Sequence, residues 1–175
     1  MFFTSDLHIS HPNILKFCSN TRPFINVDEM NQNIVYKWNN TITDNDVAYI
    51  LGDVSFTNVT DTLTILNQLQ RKELHLIIGN HDKSLLKYPQ FRSQFTSIRD
   101  YYELYLSKNK LIVLSHYPFL QWNKSHWGSY HLHGHLHGPD NNNMTCRRMD
   151  IGVDSNNLYP YHISDIDLEM NKIKI

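Results

Sequence analysis

Val47-Ala48-Tyr49-Ile50-Leu51-Gly52-Asp53 is an apolar run that stops at a glycine and a carboxylate. A short run rich in branched and aromatic residues, bounded by a turn former, is a strand signal. The construction recurs at Phe2-Phe3-Thr4-Ser5 before Asp6, at Leu74-His75-Leu76-Ile77-Ile78 before Gly79-Asn80, and at Leu111-Ile112-Val113-Leu114-Ser115 before His116. Polar groups therefore follow four separate strands. Helical patterns lie between the early ones, at 12–18, 27–40 and 61–69. The second has Asp28 and Glu29 at its positive end, and the third has Leu63, Leu66 and Leu69 at helical spacing. Strands alternating with helices predict an α/β layered fold. In such sheets the C-terminal ends of strands deliver residues into one crevice.

Two further strand patterns cover 129–133 and 149–153, and 98–115 reads as two strands joined at Lys108-Asn109-Lys110. That hairpin predicts more antiparallel pairing in the second half. Asn141-Asn142-Asn143 reads as a short polar loop, no repeat is present, and the 175 residues suit one domain spanning 1–175. A hydrophobic fraction of 41% suffices for a packed interior, and a formal net charge of −1 argues against a broad footprint for duplex nucleic acid or an anionic membrane. Cys18 and Cys146 read as two reduced thiols of a cytoplasmic protein rather than a disulfide framework. The opening Met1-Phe2-Phe3-Thr4-Ser5-Asp6 lacks the basic and apolar regions of a secretory signal, and no stretch approaches the ~20 apolar residues of a membrane span.

Histidine is the compositional outlier, with 11 copies clustered near 8–11, 75–81 and 116–137. Five short runs carry most of the chemistry: Asp6-Leu7-His8, Gly52-Asp53, Gly79-Asn80-His81-Asp82, Ser115-His116 and Gly134-His135-Leu136-His137. They offer seven candidate ligands for a divalent cation (Asp6, His8, Asp53, Asn80, His116, His135 and His137) plus one further histidine, His81. In extended backbone residues i and i+2 face one side, so Asp6 and His8 are expected to share a metal with Leu7 turned to the core, and His135-Leu136-His137 to repeat the device. Gly134 and Gly138 are expected to let the chain turn tightly. Taken singly, a Gly-Asp pair is an ordinary turn and a histidine at a strand end is often a core residue. Their combination is the inventory of a two-metal hydrolytic centre.

In this order and spacing the five runs resemble the pattern of the calcineurin-like metallophosphoesterase superfamily: D-x-H, G-D, G-N-H-D/E, H and G-H-x-H. The resemblance stretches from Asp6 to His137. It implies a two-sheet β-sandwich flanked by helices, two divalent cations, and hydrolysis of a phosphate ester. It also implies the ligand sets: Asp6, His8, Asp53 and His137 for one cation, and Asp53, Asn80, His116 and His135 for the other. Asp53 is then the bridge. Cations bridged this way lie ~3.5–4 Å apart and share a water or hydroxide that attacks phosphorus in line, while His81 protonates the leaving oxygen. Mixed nitrogen and oxygen ligation suits Mn²⁺, favoured here, or Fe²⁺, Zn²⁺, Co²⁺ or Ni²⁺.

Other residues carry weaker signals. Small members of the family that this chain resembles have a histidine three residues after the metal-binding one, here His11, and an Arg-Pro-Phe run, here Arg22-Pro23-Phe24. Arg22 is the candidate to offer phosphate its fork, the alternative being an ordinary surface arginine. The loop 117–128 holds Tyr117, Phe119, Trp122, His126 and Trp127; these aromatics either cover a sheet edge or, with Trp122 as the candidate substrate contact, stack on a nucleobase. Arg147 and Arg148 read as solvated, and His75, His131, His133 and His162 as structural. The expected activity is a phosphodiesterase acting on a small nucleotide-like substrate at an open site, since the chain leaves little length for a cap. A phosphomonoesterase or phosphoprotein phosphatase is the first alternative. The phosphatase subgroup carries G-D-x-V-D-R-G, whereas this chain reads Gly52-Asp53-Val54-Ser55-Phe56-Thr57-Asn58. The usual aspartate that orients the acid histidine is thus Phe56, and Asp82 is the substitute considered. A scaffold that kept the fold and lost the chemistry is the alternative of another class, and the intact ligand set argues against it.

Overall fold

The computed structural model describes residues 1–138, 141 and 145–174, so Asn142 and Asn143 of the expected polar loop lie outside the described residues. Two sheets stack face to face. The first has the order β4-β3-β2-β1-β9, built from Phe2–Thr4 (β1), Val47–Ile50 (β2), Glu73–Ile77 (β3), Ser97–Arg99 (β4) and Tyr161–His162 (β9). The second is β5-β6-β7-β8, from Tyr101–Ser107, Lys110–Ser115, Tyr130–His133 and Arg148–Asp150. The helices are Ile14–Phe17 (α1), Val27–Asn39 (α2), Val59–Leu66 (α3), Pro89–Arg92 (α4) and Ile163–Met170 (α5). This is the expected α/β fold of two sheets flanked by helices. Among the described residues, no helix is long and apolar enough to cross a membrane.

The two-residue period of the strands divides the core. Phe2, Ala48, Ile50, Leu74 and Leu76 face the helices, in a cluster with Met30, Ile34, Trp38 and Leu66. Their neighbours Phe3, Tyr49, Leu51 and Ile77 face the second sheet, packing with Ile112, Leu114, Leu132 and Met149 and with Ile166 and Met170 of α5. The apolar runs read from the sequence are continuous because both faces of the first sheet are covered.

Pairing in the second half departs from expectation. The hairpin β5-β6 is antiparallel, but β6-β7 and β7-β8 are parallel. The loop 117–128 carries the chain back across the sheet, so β7 starts at the same end as β6. Helix α3 starts at Val59 rather than at 61, because Asn58 accepts the backbone N–H of Asp61 and caps it. Asn26 caps α2 in the same way, through Glu29.

Trp38 is 1% exposed and its indole N–H donates to Gln70 O at 2.8 Å. Trp38→Ala is expected to cost about 3–5 kcal/mol, measured by urea unfolding followed by circular dichroism. A loss below about 1 kcal/mol would contradict its place in the core.

Candidate metal centre

Strands β1, β2 and β3 are mutually parallel, as are β6, β7 and β8, and the chains leaving them converge at one edge. The loops after β1 and β2 are zipped together by backbone bonds, Asp6 N to Gly52 O, His8 N to Asp53 O and Ile9 N to Val54 O, each 3.0 Å. The third loop joins through His81 N to Asp53 Oδ1 at 3.0 Å. The fifth run joins through Gly134 N to His116 O (3.0 Å) and His135 N to Asp6 Oδ2 (2.9 Å). Five runs scattered over 130 residues thus share one hydrogen-bonded frame.

Glycine makes this approach possible. Gly52 has φ +93°, and a Cβ there would stand 2.6 Å from both Gly79 Cα and His116 Nδ1. A Cβ on Gly134 would overlap Ser5 Oγ and Asp6 Oδ2. The ligand residues themselves are not extended: Asp6, His8, Asp53, His135 and His137 have φ of 57°, 48°, 55°, 73° and 54°. The i, i+2 reasoning for Asp6-Leu7-His8 therefore fails in detail. Both residues occupy the left-handed region, which a non-glycine residue holds only where the surroundings enforce it.

The candidate ligands meet. Asp53 Oδ2 lies 3.8 Å from His8 Nε2 and 3.7 Å from His116 Nε2, between two groups of donors. On one side His8 Nε2 is 3.7 Å from Asp6 Oδ1, and the Asp6, His8 and His137 donor atoms lie within 4.8 Å of one another. On the other, His116 Nε2 is 2.9 Å from Asn80 Oδ1, and the His135 ring centroid is 5.2 Å from that of His116. Asp6, His8, Asp53 and His116 are each at most 3% exposed. Asp6 Oδ1 and both ring nitrogens of His8 are buried with no hydrogen-bond partner. Orphaned buried acceptors are rare and demand an explanation. Two ligands each about 2.1 Å from a shared cation are separated by roughly the spacing seen between Asp6 and His8. The donor set fits divalent cations. A further trio, Cys18, His137 and Asp154, is also close together, but Asp154 is already saturated by Arg22, Thr21 and His137.

Electrostatics follow the geometry. Burial, only partly opposed by Asp6, lowers the pKa of His8, leaving a neutral imidazole with a lone pair. Burial also raises Asp6, but the adjacent His8 imidazole and the His116 and His137 charges outweigh this and hold it low. Burial would lower His137 too, but the Asp154 carboxylate and the Cys18 thiol carry it up to about 10. A cation taken up at His137 would therefore have to displace a proton. Leu51 O accepts from His116 Nδ1 at 2.7 Å, which leaves Nε2 free to face Asp53.

Several expectations change. Arg22 is 0% exposed and bonds Asp154, Leu7 O and Asp6 O, so it has no fork left for a phosphate. Trp122 is engaged within its own loop, donating to Ser129 O and packing 5.3 Å from His131. The loop aromatic that meets the cluster is Tyr117, with ring centroids 4.7 Å from His135 and 5.1 Å from His116. His11 lies beside His8, stacked on Phe56 at 3.9 Å, and burial with the neighbouring His8 and His81 lowers it to about 4. Asp82 does not orient the His81 ring. It accepts the backbone N–H of Gly79, Asp53 and Val54 at 2.8, 3.0 and 2.9 Å. Burial pushes its carboxyl up and these three donors pull it back only in part. Arg147 and Arg148 are half-buried and bond backbone carbonyls of Gly128 and Phe119. Asp154 was missed. Its signal was the strand pattern 149–153 ending in a carboxylate, the same construction as at Asp53. Asp150, also missed, accepts Gly138 N at 2.9 Å and Gly152 N at 2.7 Å and braces the last ligand loop.

Comparison with known proteins is consistent with this geometry. The family model described as calcineurin-like phosphoesterase matches residues 1–164. MJ1445 of Methanocaldococcus jannaschii is 42% identical over 84 residues, a stretch that covers 47% of this chain and 47% of that protein. The chain thus matches about half the length of this relative. The Gene 66 protein of Mycobacterium phage D29 is 29% identical over 182 residues, covering 89% of this chain and 88% of that one. Among solved structures, AQ665 of Aquifex aeolicus, a protein of unknown function, superposes with a TM-score of 0.68 at 26% identity, over 96% of this chain and 97% of its own.

Asp82→Ala would leave three buried N–H groups without an acceptor. The expected result is a loss of roughly 3 kcal/mol in stability together with weaker Mn²⁺ uptake, read by thermal melts and metal titration. An unchanged melting temperature would show that other groups satisfy these donors.

Proposed function

The chain belongs to the calcineurin-like phosphoesterase family, and on that premise we propose that it hydrolyses phosphodiesters of small, nucleotide-like compounds with two divalent cations, Mn²⁺ favoured. The observation that carries this reading is the position of Asp53 Oδ2, 3.7–3.8 Å from a histidine of each donor group. One carboxylate facing two clusters of candidate ligands is what a shared pair of cations requires. Asp6, His8 and His137 complete one side, and Asn80, His116 and His135 the other. Bound cations would lower the pKa of water and offset charge on phosphoryl oxygens.

The chain's own groups do the rest. His81 stands at the mouth with its side chain 45% exposed and Nε2 3.9 Å from Asp53 Oδ2. Its backbone is pinned by Asp53 Oδ1 and its ring packs 4.3 Å from Phe56. From there the imidazole can pass a proton to the departing ester oxygen. A diester is favoured over a monoester by the fate of Arg22. A dianionic phosphate calls for an arginine fork, and this one is turned inward. Phe56 in place of an aspartate also separates the chain from phosphoprotein phosphatases. The formal charge of −1 favours a small substrate over a duplex, and two free cysteines suit a reducing compartment such as the cytoplasm.

The decisive assay compares bis-p-nitrophenyl phosphate with p-nitrophenyl phosphate on chelated protein before and after Mn²⁺ is restored. Metal-dependent cleavage that favours the diester is expected, and preference for the monoester would reverse the assignment. His81→Ala should keep its metal content while turnover falls by about 10²-fold or more; near-normal turnover would remove His81 from the reaction. Asp53→Asn should weaken both cations together, and loss of a single cation would mean that Asp53 is no bridge.

A further inference from the structure

We propose that Asp154 and Arg22 form one buried positioning clamp that sets the cation site of Asp6, His8 and His137, leaving the site of Asn80, His116 and His135 to be set independently. The inference rests on reading the centre as a pair of cation sites. Arg22 presents its fork to Asp154, with Nε to Oδ1 at 2.9 Å and Nη2 to Oδ2 at 2.7 Å. Of the three remaining guanidinium hydrogens, two reach Asp6 O at 2.6 Å and Leu7 O at 3.0 Å, and the third points to Met30 Sδ at 3.6 Å. Asp154 Oδ2 also accepts His137 Nδ1 at 2.6 Å, and Thr21 Oγ1 donates to Oδ1 at 2.5 Å. The pair thus grips the backbone of the first ligand run and a ring of the fifth, more than 120 residues later.

Each grip has a physical consequence for the ligands. Asp6 and His8 hold left-handed backbone on either side of Leu7, and the guanidinium ties down the carbonyls of Asp6 and Leu7. The Asp154 carboxylate fixes the proton of His137 on Nδ1, turns Nε2 toward Asp6 and His8, and makes that nitrogen a stronger donor. A buried ion pair adds little net stability over an apolar pair, so its value here lies in placement. Among the described residues the other side has no equivalent: His116 Nδ1 is backed by the neutral carbonyl of Leu51. One imidazole is braced by a charge and the other by a dipole, and the two sites are expected to respond separately.

The test is a calorimetric Mn²⁺ titration of purified, chelated protein, with Asp154→Asn and Arg22→Lys beside the unaltered chain. In Asp154→Asn one of the two binding events should weaken by roughly 10- to 100-fold and the other stay unchanged. Arg22→Lys keeps a cation beside Asp154 but loses the fork, and should weaken the same event. It also decides the matter should Asp154→Asn fail to fold. Equal weakening of both events, or of neither, overturns the clamp. Failure of the unaltered chain to bind a pair of Mn²⁺ ions would instead defeat the reading of the centre on which the clamp depends.

Discussion

Two carboxylates, Asp6 and Asp53, are buried in the same small volume, and imidazoles are the titratable groups that face them. Burying a carboxylate without compensating charge costs several kcal/mol even after relaxation. Much of the local architecture is arranged around that cost. Parallel strands end at a common edge, glycines at 52, 79 and 134 let the loops touch, and backbone amides of His81 and His135 hold one oxygen of each carboxylate. The other oxygens are left facing the neighbouring imidazoles, where divalent cations would supply the charge that the protein does not.

A third buried carboxylate, Asp82, illustrates a different use of the same chemistry. It faces backbone N–H groups instead of side-chain ligands and fastens the loops after β2 and β3 to each other. The sequence places it one residue from His81, where a role in orienting that histidine is the natural reading. Sequence adjacency gives no direction to a side chain, and here the two neighbours point into different surroundings.

The sheet that matters most was legible because its strands are buried on both faces and read as uninterrupted apolar runs ending in polar residues. The seven candidate ligands were legible because each sits at such an ending. Helix α2 was legible from its acidic first turn, whereas the start of α3 depended on the cap at Asn58, which leucine spacing does not reveal. Parallel pairing of β6, β7 and β8 was hidden because it depends on the route of a loop. Arg22 and Asp154 were hidden for a related reason: a charged residue in a loop looks the same in sequence whether it faces solvent or a partner 132 positions away. The left-handed ligand backbone is likewise a product of tertiary hydrogen bonds that no local pattern records.

That backbone has an evolutionary consequence. Outside glycine, the left-handed region is populated chiefly by asparagine, aspartate and histidine. Drift at Asp6 or Asp53 is therefore channelled toward asparagine, which keeps the shape and the accepting oxygen while deleting the charge. In protein without metal such a change also removes a buried anion. Selection for a sturdy fold and selection for chemistry thus pull in opposite directions at these positions, and a descendant could fall silent as an enzyme with its architecture hardly altered.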